Sequence, residues 1–266
     1  MSKIKNDITV IIPVYDLTKE AFSNAITSVQ KQIVQPEKLM LVVADGSVDH
    51  EYIKSFDFGD LKVTILNHSE NTSFASQMNL GVKECTTKWF SFLEQDDELS
   101  SIWLDNAIKY RTAYPDVTAF LPLIVDFSDS TEKVPSTFIG MSNEAVWAAE
   151  FSDEMGILDN ASLLKYQNFN FGGMVMLKEV YLDNGGIKES IKLTFMYEFL
   201  LRLTFNSTKV MVVPKIGYKH VNLRVGGLFE NYRNEMSPDE ARWWLATAKR
   251  EYFHIDDRKV EYEKIG

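Results

Sequence analysis

The chain alternates short, unbroken apolar runs with stretches in which apolar residues recur three and four positions apart. ITVIIPV at 8–14 is a continuous, mostly β-branched run, the mark of a strand covered on both faces, and the strand is predicted to end between Pro13 and Tyr15. From about Thr18, residues Phe22, Ala25, Ile26 and Val29 fall at helical spacing, and LMLVVAD at 39–45 supplies a second buried strand. Strand, helix, strand is the pattern of a parallel crossover. It continues with VTIL at 63–66, a helix lined by Phe74, Met78 and Val82, the strand KWFSFL at 88–93, and a helix from about Ser100 carrying Leu104, Ala107, Ile108 and Arg111. Four such units predict a Rossmann-like, doubly wound, mainly parallel α/β sheet. No short period repeats, which argues against a solenoid.

After VTAFLPLIVDF at 117–127 the periodicity weakens. Residues 128–168 mix Ser, Asp, Glu, Asn and Pro with isolated aromatics such as Phe138, Trp147 and Phe151, the composition of a long functional loop or insertion. Regularity returns with NFGGMVML at 170–177, a helix near 194–206, the strand KVMVV and the segment GYKH. SPDEARWWLATAKREYF near the end carries a helix start in Ser237, Pro238 and Glu240. The expected organisation is an α/β domain over residues 1–225 and a C-terminal helical extension over 226–266.

With 266 residues, 45% of them hydrophobic, the chain can close a substantial core. The net charge of -10 makes nucleic acid an unlikely partner, because the surface repels polyanions. Cys85 is the sole cysteine, which excludes an intrachain disulfide and a cysteine-built metal cluster and fits a reducing compartment. The apolar run in MSKIKNDITVIIPVYD is too short for a signal peptide or a membrane span, and no later stretch reaches spanning length. A cytoplasmic protein is the expectation. Trp243 and Trp244 are expected to pack against the domain or a second subunit; peripheral membrane contact is the lesser reading, since the acidic start of their segment is unlike a basic interfacial helix.

The chemistry concentrates in FLEQDDELS at 92–100. Trp89, Phe90, Phe92 and Leu93 belong in an interior, yet Glu94, Asp96, Asp97 and Glu98 follow at once. Such a cluster is tolerated by solvation or by a divalent cation with oxygen ligands; alternatively, it starts the next helix, whose N-terminal dipole favours acids. Asp16 and Asp45 stand at the predicted ends of the first two strands. In an open parallel sheet those ends share one ligand-binding edge, which favours a metal and phosphate site.

ITVIIPVYD, VVADGSVD, the Asn79-x-Gly81 pair and FLEQDD resemble, in order and spacing, the family 2 glycosyltransferases of GT-A fold. The resemblance covers roughly residues 7–225. It implies transfer of a sugar from a nucleotide-diphosphate sugar, a UDP-sugar favoured, to a carbohydrate or other hydroxyl acceptor with inversion at the anomeric carbon. It also implies that Pro13, Val14 and Tyr15 line a nucleobase pocket in which Asp45 accepts a hydrogen bond from the base. Asp96 would hold the ribose, and Asp97 would bind the Mn2+ or Mg2+ that bridges the diphosphate. In GYKHVNLR, His220 becomes a candidate metal ligand and Arg224 a candidate phosphate contact.

Two departures qualify the resemblance. The family's Gly-Gly-Phe-Asp-Glu turn reads GGIKES at 185–190, and Phe195 and Met196 stand where the acidic pair that supplies the general base is expected. Glu198 is the nearest carboxylate and the candidate catalytic base, set against an i,i+4 ion pair with Arg202. The family's arginine before Asn-x-Gly is replaced by Met78, leaving Lys83, Lys88 or Lys219 to supply the charge. On the 128–168 segment, Trp147 is a candidate sugar-stacking ring, with crevice packing as its other role, and Asp153 or Glu154 an unconventional base. The leading reading is a metal-dependent transferase. The alternative is a catalytically impaired GT-A domain that binds a nucleotide sugar or a partner. A nucleotidyltransferase is disfavoured because PVYDLTKE lacks a glycine-rich phosphate loop.

Overall fold

A computed structural model describes residues 6–15, 18–45, 49–69, 73–128, 136–222 and 228–263, without the side chains of 222, 228–230 and 233. The strands are β1 (Ile8–Val14), β2 (Lys38–Ala44), β3 (Val63–His68), β4 (Trp89–Phe92), β5 (Glu98–Leu99), β6 (Ala119–Ser128), β7 (Phe138–Ser142), β8 (Val175–Leu177) and β9 (Val210–Asn222). The helices are α1 (Lys19–Gln30), α2 (His50–Ser55), α3 (Phe74–Glu84), α4 (Trp103–Ala113), α5 (Asn160–Lys165), α6 (Lys178–Asp183), α7 (Phe195–Phe205), α8 (Leu228–Glu235) and α9 (Pro238–Glu251).

The nine strands form one sheet in the order β3-β2-β1-β4-β8-β6-β9-β5, with β7 paired to β6. β1, β2, β3 and β4 are mutually parallel, as the crossover pattern predicts. β6 and β9 are also parallel to each other, whereas β8 runs antiparallel between β4 and β6. This is the expected mainly parallel α/β sheet, and its order reverses at β1, where the carboxyl ends of β1 and β4 open a crevice.

β1 shows why the run at 8–14 reads as continuous. Ile8, Val10, Ile12 and Val14 enter a core with α1, α2 and α4, while Ile11 enters the core on the opposite face with α3, α6, α7 and α9. Every position is buried because both faces are covered. Gly81 allows α3 to approach the sheet, since a Cβ there would lie 2.5 Å from Ile11 Cγ2. Asn79 holds the turn at 185–190: its Nδ2 donates to Ile187 O at 2.8 Å, and its Oδ1 accepts from Ile187 N at 3.0 Å and from the Tyr181 hydroxyl at 2.6 Å.

One segment differs from expectation. The 128–168 segment contains β7, a 3-10 turn at Glu144–Trp147, and α5; residues 129–135 lie outside the described region. These pieces are too short to print a clear period on the sequence. The C-terminal helix starts as read, with the Ser237 hydroxyl accepting from Glu240 N at 3.1 Å and Pro238 in the first turn. Its Trp244, Ala248 and Tyr252 enter the same core as α7. Trp244 is only 2% exposed and unavailable to a membrane surface. Among the described residues no helix is long and apolar enough to cross a membrane.

Candidate nucleotide and metal site

The acidic turn after β4 is built into the sheet rather than solvated. Asp97 is 1% exposed. Its Oδ1 accepts from Val221 N at 2.9 Å, and its Oδ2 accepts from the Tyr218 hydroxyl at 2.8 Å and lies 2.8 Å from His220 Nδ1. All three partners come from β9. Tyr218 also accepts from Glu94 N at 3.2 Å, so one phenol ties the backbone of the turn to its buried carboxylate. Burial and the charges of Asp97 and Glu94 push the Tyr218 hydroxyl well above its ordinary pKa, which keeps it a donor. Gly173, at φ +71°, makes room for that ring: a Cβ would lie 2.9 Å from Tyr218 Cδ2.

Glu94, Asp97 and His220 each offer one ligand atom, and the three atoms lie within 4.8 Å of one another. Two carboxylate oxygens and an imidazole nitrogen suit a divalent cation such as Mn2+, so the donor set fits the expected metal. Burial by itself would depress His220, but the Asp97 charge and hydrogen bond, with Glu94 and Asp126 beyond, push its pKa up to about 10.

Tyr15 is half exposed beyond β1 and is stitched to the acidic turn. Its N–H donates to Gln95 Oε1 at 2.9 Å, and the Gln95 amide donates back to its carbonyl. Asp45 is exposed at the end of β2, where its N–H extends the ladder to His68 O at 3.0 Å. Asp96 sits half-buried in the turn itself. Pro13 and Val14 are buried within β1, and the Val14 side chain enters the core shared with α1, α2 and α4. Gln77 braces this edge by donating to Val14 O at 3.1 Å and Val42 O at 2.7 Å. Asp16 and Arg224 lie outside the described residues. Met78 is fully buried in the core, and Lys219 pairs with Glu98 at 2.7 Å.

Glu198 is corrected from candidate base to core ion pair. It is fully buried, its two oxygens engaged by Arg202 Nε at 3.0 Å and Nη2 at 2.8 Å, with Lys188 Nζ at 3.2 Å. No incoming hydroxyl reaches it. Lys188, from the GGIKES turn, also donates to Glu251 O at 2.7 Å, and burial holds its ammonium below the usual lysine range despite Glu198. At the start of α7, Phe195 packs on Phe74, while Met196 faces an open cleft.

That cleft, of about 420 Å³, is bounded by β6, β7, the irregular segment 167–170, the start of α7, and α9, with His220 in its wall. Asp126 of β6 also lines it. Burial pushes the Asp126 carboxyl up, opposed by the hydrogen bond from Ser142 and the charge of His220. The sequence reading missed Asp126 and Tyr218. A signal existed for Asp126, an acid closing a buried run in LIVDF just as EQDD closes WFSFL.

An open, mainly parallel sheet whose order reverses beside a buried carboxylate–histidine cluster is an α/β architecture of the GT-A type. The chain belongs to glycosyl transferase family 2, whose sequence profile matches residues 9–184. It is similar to a teichoic acid poly(glycerol phosphate) polymerase of Staphylococcus epidermidis, 31% identical over 36% of this chain and 14% of that one. It is also similar to the UDP-Glc:alpha-D-GlcNAc-diphosphoundecaprenol beta-1,3-glucosyltransferase WfgD of Escherichia coli, 28% identical over 39% of each. The matches thus span well under half of these relatives. Among solved structures, S. aureus TarS in complex with UDP-GlcNAc superposes with a TM-score of 0.65 at 17% identity, covering 92% of this chain and 66% of that one; the fold is shared.

Proposed function

We propose that the protein transfers a sugar from a UDP-sugar to a hydroxyl acceptor, with inversion and with a divalent cation at Asp97, His220 and Glu94. The observation that carries this reading is the Asp97 cluster at the carboxyl end of β4, beside Tyr15 and on the same edge as Asp45. A TarS complex holds UDP-GlcNAc, and the E. coli relative is named for UDP-Glc, which supports a uridine nucleotide here. Asp45 is the candidate partner of the base, Asp96 of the ribose. Bound at the cluster, Mn2+ or Mg2+ would neutralise the charge that develops on the departing diphosphate. The single cysteine supports a reducing, cytoplasmic setting.

Calorimetric titration of UDP with and without Mn2+ tests the assignment. The wild type should bind UDP at least about tenfold more tightly with Mn2+, and Asp97→Ala should abolish the difference, since a tenfold change needs only one lost interaction of about 1.4 kcal/mol. Equal affinity with and without Mn2+ in the wild type removes the metal from the reading. A second reading, a nucleotide-sugar-binding module without turnover, is favoured by one observation: Phe195 and Met196 occupy the expected base positions and Glu198 is sealed in the core.

A further inference from the structure

Inverting transfer needs a general base within hydrogen-bond reach of the acceptor hydroxyl, and the start of α7 supplies no accessible carboxylate for it. The cleft in front of Met196 does. Asp126 is the one carboxylate among its described lining residues, and it stands in register with His220 on the adjacent, parallel strand. Register partners on neighbouring strands point to the same sheet face about 4.8 Å apart. Asp126 therefore lies one strand from the histidine that contacts Asp97, beside the residues that would hold a metal-bound diphosphate.

The surroundings fix Asp126 and shape a site for a polyol. Ser142 Oγ donates to its Oδ2 at 3.0 Å, which orients the carboxylate. Asn143, fully buried at φ 72°, brackets the far wall: its Nδ2 donates to Pro122 O at 2.8 Å and Asn170 O at 2.9 Å, while its Oδ1 accepts from Asn170 N at 2.9 Å. The amides of Gln167 and Asn168 and the apolar surfaces of Phe169 and Met196 line the same space. Amides beside an apolar platform suit the hydroxyl edge and the C–H face of a sugar ring, and the volume is that of a small-molecule site.

We propose that this cleft is the acceptor site for a carbohydrate or similar polyol, and that Asp126 is the general base, supplied from β6 in place of the absent acidic pair on α7. The acceptor hydroxyl gives its proton to the Asp126 carboxylate as its oxygen bonds to the anomeric carbon. The bond from that carbon to the diphosphate breaks, and the electron pair leaves with the nucleoside diphosphate. The inference rests on the UDP-sugar reading above.

The test uses the full chain with Mn2+, UDP for binding, and UDP-GlcNAc and UDP-glucose as donors, with water as acceptor. Asp126→Asn is close to isosteric and should leave UDP affinity within about threefold while donor hydrolysis falls by ~10²-fold or more. Asp126→Ala should regain donor cleavage with sodium azide, a nucleophile that carries no proton to remove, and mass spectrometry should detect the glycosyl azide. A structural defect would not be relieved by azide. UDP binding reports whether each variant is folded, and Asp126→Asn carries the test if Asp126→Ala is not. Hydrolysis within about threefold of wild type in Asp126→Asn overturns the base assignment, as does a folded Asp126→Ala that forms no azide adduct. A wild type that binds UDP with Mn2+ but cleaves neither donor also overturns it and leaves a binding module. A wild type that fails to bind UDP overturns the donor reading, and this inference with it.

Discussion

Glu198 shows how one side chain can carry two incompatible expectations. At the sequence level it is both the nearest acid to a missing base and the i,i+4 partner of Arg202; burial decides between them. With Arg202 and Lys188 sealed beside it, neutralising Glu198 leaves two cations facing each other without their anion. Removing one partner of a buried pair is costly, whereas an exposed i,i+4 pair is worth a few tenths of a kcal/mol. Glu198→Gln is therefore expected to lower the unfolding free energy by about 3 kcal/mol or more, read from urea titration. A loss below about 1 kcal/mol combined with loss of turnover would return Glu198 to the reaction. Asp97 was legible because four acids after a buried run demand compensation. Its partners Tyr218 and His220 were less so, since a phenol in a strand usually reads as packing.

At the scale of elements, β9 and α9 do the work that local pattern understates. β9 is thirteen residues long; it pairs with β6 from end to end, and its last residues turn Tyr218, His220 and the Val221 amide onto Asp97. KVMVV and GYKH read as separate pieces because Pro214 and Lys215 interrupt the apolar run, yet the chain stays extended through them. α9 packs against the domain, one of the two roles expected of its tryptophans, and closes the core over α7. Trp244→Ala should cost about 3 kcal/mol or more, the range for emptying a buried aromatic site. Its half-buried neighbour Trp243 should cost less than half as much, about 1 kcal/mol. Urea midpoints of the two variants at constant slope provide the measurement. Equal losses would mean that α9 is held by both rings alike.

For the whole molecule, the shared core of α7 and α9 and the buried contact between Lys188 and Glu251 couple the C-terminal helix to the sheet. Thermal unfolding followed by far-ultraviolet circular dichroism and by tryptophan fluorescence should give one coincident transition; an earlier fluorescence transition would mean that α9 melts alone. Saturating UDP with Mn2+ should raise that midpoint by mass action, with about 2.7 kcal/mol of stabilisation at a hundredfold excess over the dissociation constant. The sequence by itself determined the parallel sheet, the family and the acidic edge, because burial on both faces of a strand and charges at its end are local properties written in consecutive residues. Only the tertiary structure decided which acids face the cleft and which are sealed. Glu198 and Asp126 are each one acid in an apolar stretch, and what separates them is the neighbour each meets across the fold: Arg202 and Lys188 close over the first, while β9 brings His220 beside the second at the mouth of an open cleft.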